Sequence, residues 1–328
     1  MKLSVVIPVY NAAEFIEKSY RSIAEQNLKD FEIIYVNNNS IDNSIKKINK
    51  ILTNDKRVKL IEQPKQGAAA ARNLGIEEAH GDYIYVFDVD DEIYPNALNA
   101  MICVLDSHPK AHAVFGKMVK SKHSIAKTIK PEDETNEVII KEKPYWGLAW
   151  FADLSIVVGP PAFLYRRSVF KSIGTYNEAI RNNEDTAFDI KLGMTCTVAF
   201  LDRYVYLYFK HESSTIQTSK RQMPRAFMVW PRLVKEHLPF YLTNEVPICF
   251  KHLLFTQIYQ SMGRQIEYTK GLSERKKLKS VLLDDINSIN VPVLIKFYLN
   301  ILVFFSFAPV RKIYSYYIVP AVIKNRSN

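Results

Sequence analysis

Strand and helix alternate four times between Leu3 and Glu92, and this alternation limits the fold more than any other feature of the chain. Leu3 to Ile7 is an apolar run, followed by a turn at Pro8-Val9-Tyr10-Asn11. Helical spacing (Phe15, Ser19, Ser22, Ile23) then runs from Ala12 to Gln26. Phe31 to Val36 is a second strand, Asn37-Asn38-Asn39-Ser40 a polar turn, and a helix covers about Asp42 to Leu52. Val58 to Ile61 is a third strand, and Gly67 opens an alanine-rich helix, Ala68 to Ala79. Gly81 precedes the fourth strand, Tyr83 to Phe87. Continuous apolar runs suit strands covered on both faces, and this rhythm predicts an α/β chain with a mostly parallel central sheet. In such sheets ligands bind beyond the carboxyl ends of the strands.

The fourth strand ends in acid, at Asp88-Val89-Asp90-Asp91. Three carboxylates within four residues repel one another and gain from burial only when a cation joins them. Aspartate oxygens are hard ligands suited to Mg2+ or Mn2+, and a metal there would hold a phosphorylated ligand. A solvated acidic turn is the plainer reading of the same residues. No G-x-x-x-x-G-K-[ST] loop occurs, and the first strand leads into Pro8-Val9-Tyr10-Asn11, not G-x-G-x-x-G. P-loop and dinucleotide-binding chemistry are thereby disfavoured. Asn37 to Ser40 lies on the same sheet edge as the acidic cluster. Its amides suit the edge of a nucleobase, or form an ordinary turn with Asp42 capping the next helix. Arg72, in the second turn of the alanine-rich helix, can pair with Asp88 or Asp91, or reach a phosphate or base.

Charge divides the chain. Residues 1–219 hold 27 Lys and Arg against 28 Asp and Glu, whereas residues 220–328 hold 17 against 6. The whole net charge of +10 therefore lies in the last third, which points to a polyanion or an anionic membrane surface. Without a basic stripe of interleaved stacking aromatics, nucleic acid is not expected as a partner. Cys103, Cys196 and Cys249 are scattered, which fits a reducing cytosol, and MKLSVVIPVYN reads as strand and turn, not as a signal peptide. Residues 116–145 are polar with Pro131 and Pro144 and read as a loop; Thr197–Leu201 and Tyr204–Tyr208 read as two strands flanking a turn. From Pro224 the pattern is helical. The apolar, aromatic stretch 291–323 is interrupted by Lys296, Asn300, Pro309, Arg311 and Lys312. It suits an interfacial helix pair better than a spanning helix, with Arg275, Lys276, Lys277, Lys279, Lys324 and Arg326 toward anionic lipid.

The series VVIPVYN (5–11), YVNNNSIDNS (35–44), GAAAARNLG (67–75), GDYIYVFDVDDE (81–92) and NNEDTAFDIKL (182–192) resembles family-2 glycosyltransferases of the GT-A fold, bacterial enzymes that build capsules, lipopolysaccharides and other surface glycans. The match covers about residues 1–215, in order and at the right distances. The resemblance implies an inverting, metal-dependent hexosyl- or N-acetylhexosaminyl-transferase that uses a nucleotide sugar, UDP-linked in the first instance, and Mn2+ or Mg2+. Residues 1–219 would be the catalytic domain and 220–328 a helical, membrane-associating region.

Carried onto this chain, the family's pattern makes Asp185 the general base and Asp90 the metal ligand, with Asp88 on the ribose or in the metal shell. Asp91 is left for a structural pairing with Arg72. Pro8, Tyr10 and Asn11 would line the nucleoside pocket, and Arg72 would hold the base or the acidic loop. His211 would complete the metal shell, with Lys210 and Ser213 on the diphosphate. At position 38 the family usually has an aspartate that accepts the uracil N3–H; Asn38 stands there instead, and its amide oxygen would accept the same proton as a weaker, uncharged partner. Trp146 and Trp150 offer aromatic faces for a sugar acceptor, and Glu184 is placed with them. The expected acceptor is a lipid-linked or glycan precursor, and the expected place of work is cytoplasmic, peripheral on the inner face of the cell membrane. A nucleotidyltransferase and a catalytically inactive nucleotide-sugar-binding scaffold are the alternatives.

Overall fold

A computed structural model describes residues 1–212, 214 and 221–325. The chain divides into two compact units, Met1–Ser214 and Thr215–Asn328.

The first unit opens with the expected alternation. Its elements are β1 (Leu3–Val9), α1 (Ile16–Ala24), β2 (Phe31–Asn37), α2 (Ser44–Asn54), β3 (Val58–Glu62), α3 (Ala68–Glu77) and β4 (Tyr83–Val86). After them come β5 (Glu92–Ile93), α4 (Ala97–Ser107), β6 (Ala113–Ser121), β7 (Val138–Lys141), α5 (Tyr145–Ala152), β8 (Phe163–Arg166), α6 (Ser168–Ile173), α7 (Glu184–Thr195) and β9 (Val198–Phe209). One sheet joins all the strands in the order β3-β2-β1-β4-β8-β6-β9-β5, with β7 also on β9. The quartet β3-β2-β1-β4 is parallel. Every residue of β2 and β4 is buried, as unbroken apolar strands covered on both faces require. Gly75 lets α3 lie tightly on this quartet, because a Cβ there would stand 2.3 Å from a Val6 methyl. Val9 pairs with Asn37, and Val6 with Val86, so the loops after β1, β2 and β4 leave from one edge.

The second half of the sheet departs from the sequence reading. β8 is antiparallel to both β4 and β6. Part of the expected 116–145 loop is strand: β6 continues to Ser121 and β7 adds to β9. The two expected strands around Asp202-Arg203 are one strand, β9. A register shift against β6 at Gly116–Met118 absorbs the extra residues. Asp202 is held there by the Lys117 ammonium and the Thr135 hydroxyl, so the apparent turn residues are side-chain partners within a bulged ladder.

The second unit is helical throughout its described residues: α8 (Arg225–Arg232), α9 (Leu238–Thr243), α10 (Ile248–Tyr268), α11 (Leu272–Asp285), α12 (Val293–Phe304), α13 (Ala308–Ile313) and α14 (Val319–Asn325). Its core is the α10 stripe Phe250, Leu254, Ile258, Met262 and Ile266, all at helical spacing of four. Ile295, Leu299, Leu302 and Val303 of α12 and Tyr314 are buried with it. Among the described residues no helix is long and apolar enough to cross a membrane. The apolar stretch breaks at Phe305–Phe307, ahead of Pro309.

Candidate active site

The site is built on the edge where β1, β2 and β4 end. Asn11 takes a left-handed conformation (φ 48°), which lets its Oδ1 accept the Ile41 N–H at 2.8 Å while its own N–H donates to the Ser40 hydroxyl at 3.0 Å. The loops after β1 and β2 are thereby clasped together. Tyr10 is exposed on this edge and Pro8 is half-buried within β1.

The acidic loop separates into three environments. Asp91 is buried, and its Oδ1 accepts the Phe209 N–H at 2.9 Å, not an Arg72 contact. Burial pushes its carboxyl pKa well up, with Asp90 and Asp88 adding. Asp88 accepts from Arg72 at 2.9 Å. Burial raises its pKa against the pull of the guanidinium. Its Oδ1 is therefore taken by Arg72, which leaves Oδ2 as the oxygen available to a ribose or a metal shell. Asp90 instead meets His211, with Oδ2 and Nε2 at 2.7 Å. The His211 ring lies against Phe209 and Phe15. Lys18 donates to the Asp90 carbonyl at 2.8 Å and lies over the Phe209 ring. No sequence pattern singled out Lys18 or Phe209, because their role comes from the crossing of α1 and β9 beneath the loop.

Arg72 is the centre of the arrangement. Besides Asp88, its guanidinium donates to Glu184 at 2.8 Å; Arg72 and Glu184 are buried, and Asp88 is partly exposed. Burial alone would lower the Arg72 pKa; Asp88 and Glu184 reverse that and hold it well up. Arg72 thus ties the acidic loop to the first turn of α7. Glu184, expected at the acceptor, is a buried ion-pair partner whose carboxyl is pushed up to about 7 by burial, against Arg72. Asp185 follows it, partly exposed, with Oδ1 accepting the Thr186 N–H at 2.7 Å. Left-handed Asn183 (φ 65°) turns the chain into this helix. One turn further, Asp189 is fully buried and neither carboxylate oxygen has a hydrogen-bond partner. Burial pushes its pKa well up, with Asp185 adding. Its spacing of four from Asp185 was the available sequence signal.

Several expected residues are elsewhere. Trp150 is 0% exposed and packs on Phe115 and Phe163. Trp146 stacks on Trp150 and donates its indole N–H to the Val198 carbonyl at 3.2 Å. Their helix α5 crosses α7 at Gly147 and Gly193, where a Cβ on either glycine would meet backbone within 2.4 Å. Gly193 is eight residues beyond Asp185, roughly 12 Å along the helix. Trp150 is thus a core residue, while Trp146 is half-buried at the edge of the same cluster. Asn38 is buried, and its amide is hydrogen-bonded to the 63–67 loop. Lys210 is exposed after β9, and Ser213 lies outside the described residues.

The glycosyl transferase family 2 profile matches residues 4–174. The chain belongs to this family and is a glycosyltransferase. The nucleotidyltransferase alternative falls with that. Over 306 residues it is 25% identical to the GalNAc(5)-diNAcBac-PP-undecaprenol beta-1,3-glucosyltransferase of Campylobacter jejuni, covering 92% of this chain and 94% of that one. It is 43% identical over 101 residues to an uncharacterized glycosyltransferase of Haemophilus influenzae, spanning 30% of this chain and 40% of the relative. With EpsJ of Bacillus subtilis the identity is 29%, over 65% and 62% of the two chains. The crystal structure of Staphylococcus aureus TarS in complex with UDP-GlcNAc superposes with a TM-score of 0.68 at 19% identity, covering 99% of this chain and 92% of that one. The shared architecture is the GT-A fold.

Proposed function

We propose that this glycosyltransferase moves a sugar from a nucleotide sugar, UDP-linked, to a hydroxyl of a lipid-linked cell-envelope glycan precursor, with inversion and with Asp185 as general base. One observation carries the reading. Arg72 bridges Asp88 and Glu184, which puts the partly exposed carboxylate of Asp185 on the same edge as the acidic loop. In this mechanism Asp185 takes the proton of the acceptor hydroxyl while the hydroxyl oxygen attacks the anomeric carbon. Attack comes from the face opposite the diphosphate, and the breaking C–O bond leaves its electron pair on the departing nucleotide. The nucleoside rests along Pro8, Tyr10 and Asn11, and Lys210 stands toward the diphosphate.

The residues fit a divalent cation. Among the described residues no cluster of three metal-ligating side chains exists, but Asp90 and His211 bring a carboxylate oxygen and an imidazole nitrogen together. Asp90 and His211 would hold the cation together with the donor's diphosphate, and imidazole favours Mn2+ over Mg2+. When bound, the cation neutralises charge on the departing diphosphate. The named partners of similar proteins support the reading: UDP-GlcNAc for TarS, GDP-Man with Mn2+ for a mannosyltransferase of Pyrobaculum calidifontis (TM-score 0.53), and an undecaprenol-linked chain for the Campylobacter relative.

The helical unit supports work at the inner face of a membrane. Helix α12 is apolar on both sides: Ile295 and Leu299 are buried, while Val293, Leu294, Phe297 and Phe304 are exposed. Phe305, Phe307, Tyr316 and Tyr317 extend this exposed aromatic set, and the Lys276 ammonium lies over the Phe304 ring. A twelve-residue helix is about 18 Å long, too short for the roughly 30 Å hydrocarbon layer, so it would lie in the interface. The net charge of +11 in this third of the chain opposes pairing with a second copy and suits anionic lipid.

The test is a panel of radiolabelled nucleotide sugars with Mn2+, with and without EDTA. Donor turnover lost on chelation is the expected result. Turnover of no donor, or turnover indifferent to EDTA, overturns the proposal.

A further inference from the structure

Asn38 stands where the family places a carboxylate that reads uracil, yet its surroundings give it other work. It is 3% exposed at the end of β2. Its Nδ2 donates to the carbonyls of Gln63 and Lys65, each at 2.8 Å. Its Oδ1 accepts the Gly67 N–H at 2.7 Å and the Gln66 side-chain amide at 3.3 Å. Two carbonyls can only accept and a backbone N–H can only donate, so the amide has one possible orientation. Both of its donors and both of its acceptor positions are in use. A carboxylate here would face two carbonyl oxygens with no proton to offer either.

We propose that Asn38 is a positioning residue, not a reader of the nucleobase. It fastens residues 63–67 to the end of β2 and so fixes Gly67 (φ 142°), from which α3 begins. Helix α3 carries Arg72, which joins the acidic loop to α7. The proposal rests on the reading that the edge binds a nucleoside diphosphate. Its consequence is that position 38 does not separate uracil, which has an N3–H, from cytosine, which has none.

The experiment measures UDP and CDP affinity calorimetrically at 25 °C for the wild type, Asn38→Ala and Asn38→Asp, with hydrogen exchange of the unliganded proteins. Both variants are expected to weaken UDP and CDP alike, by about tenfold, the loss of one or two net hydrogen bonds. The UDP/CDP ratio stays within about twofold of wild type on that same scale. Asn38→Asp is no better than Asn38→Ala, and exchange at residues 64–70 rises in both. A purely structural residue would lower the melting temperature without moving these affinities in the folded protein. Selective loss of UDP in Asn38→Ala, or selective tightening of UDP in Asn38→Asp, overturns the proposal, as does unchanged exchange at residues 64–70. Failure of UDP, CDP and GDP alike to bind the wild type sinks the donor reading instead, and exchange still decides the role of Asn38.

Discussion

The two units treat their aromatic residues in opposite ways. In the first, Phe151, Phe163, Tyr165, Phe188 and Trp150 are sealed inside, and the working edge is made of Asp, Asn, Arg and His on loops. In the second, Phe297, Phe304, Phe305, Phe307, Tyr316 and Tyr317 stay outside, with Phe305 59% and Tyr317 71% exposed. A soluble helix has polar residues on the face away from its core. Exposed apolar residues of the first unit, such as Tyr10, Ile41 and Ile129, are spread along the chain, whereas those of the second crowd into residues 293–317, so the second keeps a run of apolar surface for something else. Chemistry and location are thus assigned to different parts of the chain, and each assignment can be attacked without the other.

The largest expected effect is on chemistry. Asp185→Asn keeps the Thr186 N–H contact within reach of the amide oxygen but removes the base, so transfer falls by about 10²–10⁴-fold. UDP affinity by calorimetry and partition onto liposomes stay at wild-type values. Substantial residual transfer refutes the base; a loss of liposome binding refutes the division of labour.

A smaller effect is expected on location. Replacing Phe297, Phe305 and Tyr317 together by serine removes three exposed rings without touching the α10–α12 core. Partition onto vesicles containing phosphatidylglycerol should drop at least about tenfold, since even one buried aromatic contributes well over 1 kcal/mol. Transfer to a detergent-free, water-soluble acceptor should not change. If wild type ignores anionic vesicles, or the variant loses an oligomer and not vesicle binding, the exposed face belongs to a second copy or another partner.

How far the sequence discloses each half follows from the same contrast. Strands β1 to β4 were readable because an unbroken apolar run buried on both faces has few alternatives, and their loops could be placed by strand polarity. β7 and the middle of β9 were not, because Lys117, Asp202 and Thr135 form a ladder whose partners are 67 to 85 residues apart. At the site, Asp90 with His211 and Asp185 were picked out by motif. Their connection through Arg72 to Glu184, 112 residues away, is a product of packing. Of the two tryptophans only Trp150 is sealed in the core, and the sequence could not say which, because the flat faces that make aromatics good sugar platforms also fill a core. At Asn38 a motif position records a residue, not which neighbours share its hydrogen bonds.

The smallest expected effect concerns Asp189, the buried acid one turn behind Asp185 that no step of the proposed chemistry uses. Its folded-state pKa lies well above the ordinary 3.8, so the folded chain holds this proton where the unfolded chain has released it. The folded state therefore binds more protons above pH 3.8, and this group's contribution to stability is fully present below that value and lost as pH rises toward the folded-state pKa. Asn presents a neutral side chain of the same shape at every pH. Relative to wild type, Asp189→Asn should gain melting temperature between pH 5 and pH 8, by about 2–4 °C for each kcal/mol relieved. Transfer activity at pH 7 should remain within about threefold, well short of the loss expected for a catalytic acid or base. Equal pH slopes for the two proteins would mean that Asp189 is ionised in the folded state with a partner drawn to it. A loss of transfer as large as that of Asp185→Asn would move Asp189 from the packing behind the site into its chemistry, and the separation between the polar working edge and the sealed interior of this unit would no longer hold.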